Sequence, residues 1–312
     1  MLLPSLIPPT ASFVLASGSP RRRELLGRIF TAGENLIVIP STFPEDLDKA
    51  AFTPSGYVVA NARGKAQEVD ARLARAGSAE ALSVAGGADA GGTTYVIGCD
   101  TVVVGPDGAI LEKPADAAAA RGMLARLSGS THAVWSGVVV LRRRGGASGA
   151  SGEECFSFAE CTRVAFGALS PALIAAYVAT GEPMDKAGGY GIQGAAGAFV
   201  RGLRGDYYNV VGFPLHRFCR TMAVELGLSV PPQPGGDGGS GVSGADTFLA
   251  GDDGGGGGGG AADVAAAAAW KGLDKDIGAI GDDVEALNRK LVQLRRAAAP
   301  EPLLHGSGAS EK

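Results

Sequence analysis

Seven consecutive glycines, Gly254 to Gly260, close a Pro- and Gly-rich tract at residues 229–263 that opens with Pro231-Pro232-Gln233-Pro234. Such a tract cannot bury enough apolar surface to offset the entropy of ordering it. Any packed core is therefore confined to residues 1–228 or to residues 264–312. The chain has 312 residues, room for one or two domains, and 46% of them are hydrophobic, enough for a sizeable core. The 50 glycines are clustered, so part of the chain is expected to stay outside that core.

Residues 12–228 alternate apolar runs with helical patterns, which predicts an α/β domain. A first strand is expected at Phe13-Val14-Leu15-Ala16. Ser19-Pro20 then opens a helix through Leu26, with Ser in the cap and Pro in the first turn. A second strand, Val96-Ile97-Gly98, is expected to end near Asp100 and to resume at Val102-Val103-Val104. Further strands are expected at Val134 to Leu141 and Cys161 to Phe166. Helices are expected at Tyr57 to Ala76, Ala115 to Leu127 and Pro171 to Thr180. The first of these places Val58, Ala62, Ala66, Val69 and Leu73 on one face. Residues 77–94 and 143–153 read as surface loops.

Beyond the linker, Trp270, Leu273, Ile277, Ile280, Val284, Leu287, Leu291 and Leu294 repeat at alternating threes and fours. That is an a/d seam. It suits a homodimeric coiled coil through residues 270–294 or an amphipathic helix, over residues 264–299, packed on its own domain. Gly272, Gly278 and Gly281 weaken either helix by ~1 kcal/mol each. Residues 300–312 are expected to be a disordered tail.

A net charge of -4 argues against a general nucleic-acid binder. No stretch reaches the ~18 apolar residues of a spanning helix, and the N-terminus has no early basic residue, so it makes a poor signal peptide. Cys99, Cys155, Cys161 and Cys219 form no CxxC and no zinc spacing; they read as buried free thiols of a reducing compartment. A cytoplasmic protein is expected.

The stretch Ser17-Gly18-Ser19-Pro20-Arg21-Arg22 joins a strand end to a helix N-terminus, a place that suits phosphate. Forked guanidinium groups add to it. The same spacing equally suits a capped helix with solvated arginines. Asp100 follows an apolar run and can activate water, hold a cation, or cap a turn. Glu112-Lys113 and Asp185-Lys186 each pair an acid with a base, and Lys65 lies mid-helix, unremarkable by itself. Gly189, Gly191 and Gly194 form a GxGxxG, but no strand precedes it and no acid follows at the dinucleotide spacing. Its glycines allow a tight backbone around a base, with Gln193 reading the edge. There is no Walker loop, HExxH or GxSxG, and His132, His216 and His305 are isolated. The acids, amides, hydroxyls and bases that remain suit metal-assisted attack of water on a phosphate anhydride.

Together LASGSPRRRELL, IGCDTVVV, ILEKPAD, MLARLSGSTHAVWSGV, GEPMDKAGGYGIQG and GDYYNVVGFPL, in this order over about residues 13–220, resemble the Maf family of nucleotide pyrophosphatases. The segment PSTFPEDLDKAAFTPSGY resembles eukaryotic members especially. The resemblance implies a mixed, twisted sheet with surrounding helices, and two lobes with a cleft, as in the related inosine triphosphate pyrophosphatases. It implies a divalent-metal-dependent split of a nucleoside triphosphate into monophosphate and pyrophosphate, with Mg²⁺ or Mn²⁺ as the cation. By the same resemblance Asp100 is the proton acceptor. Ser17, Arg22, Glu45, Lys65, Lys113 and Lys186 meet the substrate, and Glu45 and Asp100 hold the metal. Arg21, Thr101 and Gln193 match the members acting on dTTP and UTP, with CTP and modified pyrimidine nucleotides as further candidates. The alternatives are a 7-methyl-GTP pyrophosphatase, or a non-catalytic assembly or cell-division regulator acting through the C-terminal helix.

Overall fold

The computed structural model describes residues 4–30, 35–75, 92–144 and 152–230. The expected heptad seam at residues 270–294, the tail at 300–312 and nearly all of the linker lie outside the described residues. Val230, inside the expected linker, packs against the core.

Seven strands form one mixed sheet in the order β2-β1-β3-β5-β6-β7, with β4 pairing β3 beside this path. They are β1 (Ala11–Leu15), β2 (Leu36–Val38), β3 (Thr93–Val104), β4 (Ile110–Leu111), β5 (Thr131–Arg144), β6 (Glu153–Phe166) and β7 (Val200–Arg204). The β1 pairings with β2 and β3 are parallel and the rest antiparallel. Every residue of β1 is buried, as a parallel strand covered on both faces requires. Among the described residues six α-helices flank the sheet: α1 (Pro20–Leu26), α2 (Pro54–Ala74), α3 (Ala117–Leu127), α4 (Pro171–Ala179), α5 (Tyr207–Val211) and α6 (Leu215–Glu225). No helix among them is long and apolar enough to cross a membrane.

One expectation is corrected. The strand through Val96 does not end near Asp100; β3 runs unbroken, paired to β5 at every residue from Thr93 to Val104. What does end is its other neighbour. β1 pairs β3 only as far as Ile97, and β4 takes up the edge again at Val103. Between them β3 has an open edge, and Asp100 lies in that gap. The other strands are also longer than expected. β5 reaches Arg144 and β6 begins at Glu153, so residues 143–153 are part strand, part outside the described residues. Charged pairing supports these ends, as between Arg142 and Glu153 at 3.0 Å.

The sheet carries two packed regions at the β1 side. On one face Phe13, Phe30, Tyr95, Ile97 and Phe218 form an aromatic-rich core. On the other, α2 lays Ala62, Ala66 and Val69 over Val14, Val96 and Val139. A third core, with Leu124, Val164, Phe166 and Tyr190, forms at the far end of the long strands under α3 and α4. Two lobes result, joined by β3, β5 and β6, with a cleft at the open edge of β3. Helix α2 comes close because the sheet beneath it lacks a side chain at Gly98 and at Gly137. A Cβ on Gly98 would lie 2.0 Å from the Ala62 carbonyl oxygen, and one on Gly137 would lie 2.4 Å from that of Val58.

Candidate active site

The cleft has a volume of about 950 Å³, and every site residue expected from the sequence lines it: Ser17, Arg21, Arg22, Glu45, Lys65, Asp100, Thr101, Lys113, Lys186 and Gln193. Strand alternation divides them. Asp100 points to the α2 face of the sheet and Thr101 to the other.

On the α2 face, Lys65 Nζ donates to Asp100 Oδ1 at 2.7 Å and lies 2.8 Å from Glu45 Oε2. Asn61 Nδ2 donates to Asp100 Oδ2 at 3.2 Å. Burial alone would push the Asp100 carboxyl up, but Lys65 and Arg22 outweigh it and hold it below the usual carboxylate range. Asp100 is therefore an ionised, buried acceptor at neutral pH. Tyr57 completes the stripe: its hydroxyl donates to Glu112 Oε1 at 2.7 Å, and Lys49 Nζ lies 2.7 Å from Glu112 Oε2. Burial first, and then that carboxylate, raise the Tyr57 hydroxyl to about 12.

On the opposite face, Arg22 is buried and turns three of its five N–H donors to the protein. Its Nε donates to the Gly212 carbonyl at 2.9 Å, Nη1 to Ser17 Oγ at 3.1 Å and Nη2 to Thr101 Oγ1 at 3.0 Å. Thr101 Oγ1 also lies 2.8 Å from Ser136 Oγ. Thr101 thus lines the cleft bonded to Arg22. Ser19 caps α1 as the sequence predicts.

Arg21, on α1, and Lys186 meet at Asp185 of the far lobe. Arg21 Nη1 donates across the cleft to Asp185 Oδ2 at 3.0 Å, and Nη2 to the Asp185 carbonyl at 3.3 Å. Lys186 Nζ donates to Asp185 Oδ1 at 2.5 Å and to the Glu182 carbonyl at 2.7 Å. Lys113 is exposed at the rim, with no ion pair among the described residues. The loop bearing Gln193 is braced by Tyr177: its hydroxyl donates to Glu182 Oε1 at 3.0 Å and accepts from Gly191 N at 3.2 Å. His132 is structural. It is fully buried, and Nε2 lies 2.7 Å from the Tyr190 hydroxyl.

No group of three or more His, Cys, Asp or Glu gathers among the described residues to cage a metal. The carboxylates of Glu45 and Asp100 do converge, since both contact one ammonium, Lys65 Nζ. Two carboxylates, with phosphates and water to complete the shell, are the donor set Mg²⁺ commonly takes at nucleotide sites.

The profile of the Maf family, described as Maf-like protein, matches residues 12–224.

The chain belongs to the Maf family.

A human protein named "Probable bifunctional dTTP/UTP pyrophosphatase/methyltransferase protein" is 44% identical over 222 residues, 71% of this chain and 32% of that protein. This chain thus spans about a third of the human relative's length. Proteins named "dTTP/UTP pyrophosphatase" from Thermococcus gammatolerans and Thermococcus onnurineus are 44% and 46% identical over 217 residues, 70% of this chain and 97% and 98% of theirs. The mixed sheet and the cleft between lobes are those expected of a Maf protein. In this Maf chain, sequence reasoning missed Asn61, Tyr57 and Ser136, and it paired Asp185 with Lys186 without its tie to Arg21. A signal for the first two was present: Tyr57, Asn61 and Lys65 repeat at four-residue spacing, a polar stripe on a buried helix face.

Proposed function

We propose that this chain hydrolyses dTTP and UTP to the nucleoside monophosphate and pyrophosphate. The observation that carries the reading is Asp100: a buried carboxylate kept ionised by Lys65, at the open edge of β3, in a cleft also lined by Arg21, Lys113 and Lys186. The names of the Thermococcus and human relatives give the substrate class.

Arg21, Lys113 and Lys186 gather the triphosphate. Asp100 takes a proton from water as the water oxygen attacks the α-phosphorus. The bond from that phosphorus to the oxygen bridging the β-phosphorus breaks, and pyrophosphate leaves with the electron pair. Positioning and fixed charge are the protein's main contributions. Glu45 and Asp100 would hold a divalent cation, Mg²⁺ or Mn²⁺, which when bound neutralises phosphate charge and polarises phosphate oxygens. Gln193 reads the pyrimidine edge from its braced loop. The four free thiols fit a reducing, cytoplasmic setting.

The test is pyrophosphate release from a panel of nucleoside triphosphates with and without Mg²⁺. Release from dTTP and UTP, dependent on the cation, is expected. Release from 7-methyl-GTP alone would overturn the substrate reading, and release from none would overturn the reaction.

A further inference from the structure

We infer that Asn61 is a positioning residue for Asp100, holding the carboxylate at the rotation in which its free lone pairs face the cleft. The inference rests on Asp100 being the proton acceptor.

Asn61 is fully buried in the middle of α2, between the polar Tyr57 and Lys65 and beside the apolar Val58, Ala62, Ala66 and Val69. Its two polar ends fare differently. Nδ2 donates to Asp100 Oδ2, whereas Oδ1 has no hydrogen-bond partner among the described residues. A buried carbonyl without a partner lowers stability, and such groups are rare enough in native proteins to require a reason. Filling space is not that reason, since an apolar side chain would fill it without the orphaned acceptor.

The reason lies on the donor side. Lys65 Nζ holds Asp100 Oδ1 at 2.7 Å. An ammonium is a point charge and does not set the plane of the carboxylate it pairs with. With that contact alone, Asp100 is free to turn about its terminal torsion, which is broad, and to offer both oxygens to Lys65. A second donor on Oδ2, from a different turn of the same helix, removes that freedom. Helix α2 can supply both donors because Gly98 lets it settle onto β3 beside Asp100. Tyr57 and Lys65, one turn to either side, anchor the same stripe to Glu112 and to Glu45.

The experiment compares the full chain with Asn61→Leu and Asn61→Val, using whichever nucleotide the unaltered chain turns over fastest. The unaltered chain's own turnover tests the proposed function; the ratios between proteins test this inference. Both variants lack the donor, and Asn61→Leu nearly keeps the volume. In both, kcat is expected to fall about tenfold or more, the weight of one hydrogen bond to a charged group. KM should stay within about twofold. Asn61→Leu should not melt below the unaltered chain, since it removes the orphaned carbonyl. Unchanged kcat in either variant overturns the inference. So does a kcat loss confined to a variant whose melting temperature falls with it, which is the mark of packing alone.

Discussion

The backbone of Gly98 rests against the carbonyl oxygen of Ala62, so closely that a methyl group on Gly98 would stand 2.0 Å from that oxygen. This contact carries the active site. It sets the height of α2 above β3, and hence the reach of Lys65 to Asp100. In Gly98→Ala the helix has to lift. Overpacking of this kind costs about 1–3 kcal/mol, and here it also stretches the contacts of Asp100. We expect a melting temperature several degrees lower and at least a tenfold loss of turnover. Gly122 in α3 is the control, since a Cβ there meets nothing within 4 Å; Gly122→Ala should gain up to about 1 kcal/mol and keep its activity. A Gly98→Ala protein with unchanged melting and turnover would show that the close approach is dispensable.

Asp185 occupies two of the cations proposed to gather the triphosphate. Burial would raise its carboxyl, but Lys186 and Arg21 hold it below the usual range, so it is charged at neutral pH. Its side chain is 61% exposed, so the ion pair adds little to stability. Asp185→Asn should leave the melting temperature within about 4 °C, from an exposed pair worth at most about 1 kcal/mol. Freed of their internal anion, Arg21 and Lys186 should lower KM for dTTP several-fold and strengthen inhibition by added pyrophosphate. Steady-state kinetics with a pyrophosphate titration reads both. A raised KM would mean instead that Asp185 places these cations for the substrate.

His132 gives the fold an acid sensitivity. Burial lowers it from 6.5 to about 4. A depressed folded value means that the unfolded chain binds the proton first. The stabilisation is therefore complete above pH 6.5 and is lost as pH falls toward 4. The shift corresponds to roughly 3 kcal/mol. The melting temperature of the unaltered chain should drop more steeply over that window than that of His132→Phe. The variant should start lower at neutral pH, by about 1–3 kcal/mol, because Tyr190 loses its partner. Parallel slopes would exclude His132 as the source.

The local devices were the legible part of the sequence. Ser19-Pro20 announced the start of α1, the apolar repeat of Val58, Ala62, Ala66, Val69 and Leu73 announced the buried face of α2, and Asp100 stood out as an acid after an apolar run. Properties that belong to two elements at once were hidden. The full length of β3 depends on its pairing with β5, so Asp100 reads as a strand end although it lies inside one. The end that matters belongs to β1, a separate strand. Lys65 is unremarkable in its helix and becomes a site residue only when Gly98 admits that helix. Asp185 looks like half of a surface pair with Lys186, and its tie to Arg21 across the cleft spans 164 positions of sequence.

Asp100→Asn tests the account most directly. The change keeps the shape and removes the acceptor. With dTTP or UTP and Mg²⁺, pyrophosphate release by this variant should fall in kcat by about 10²–10⁴, the usual contribution of an acid–base residue, while the protein remains folded. Near-normal turnover by folded Asp100→Asn would contradict the assignment of Asp100 as the group that activates water.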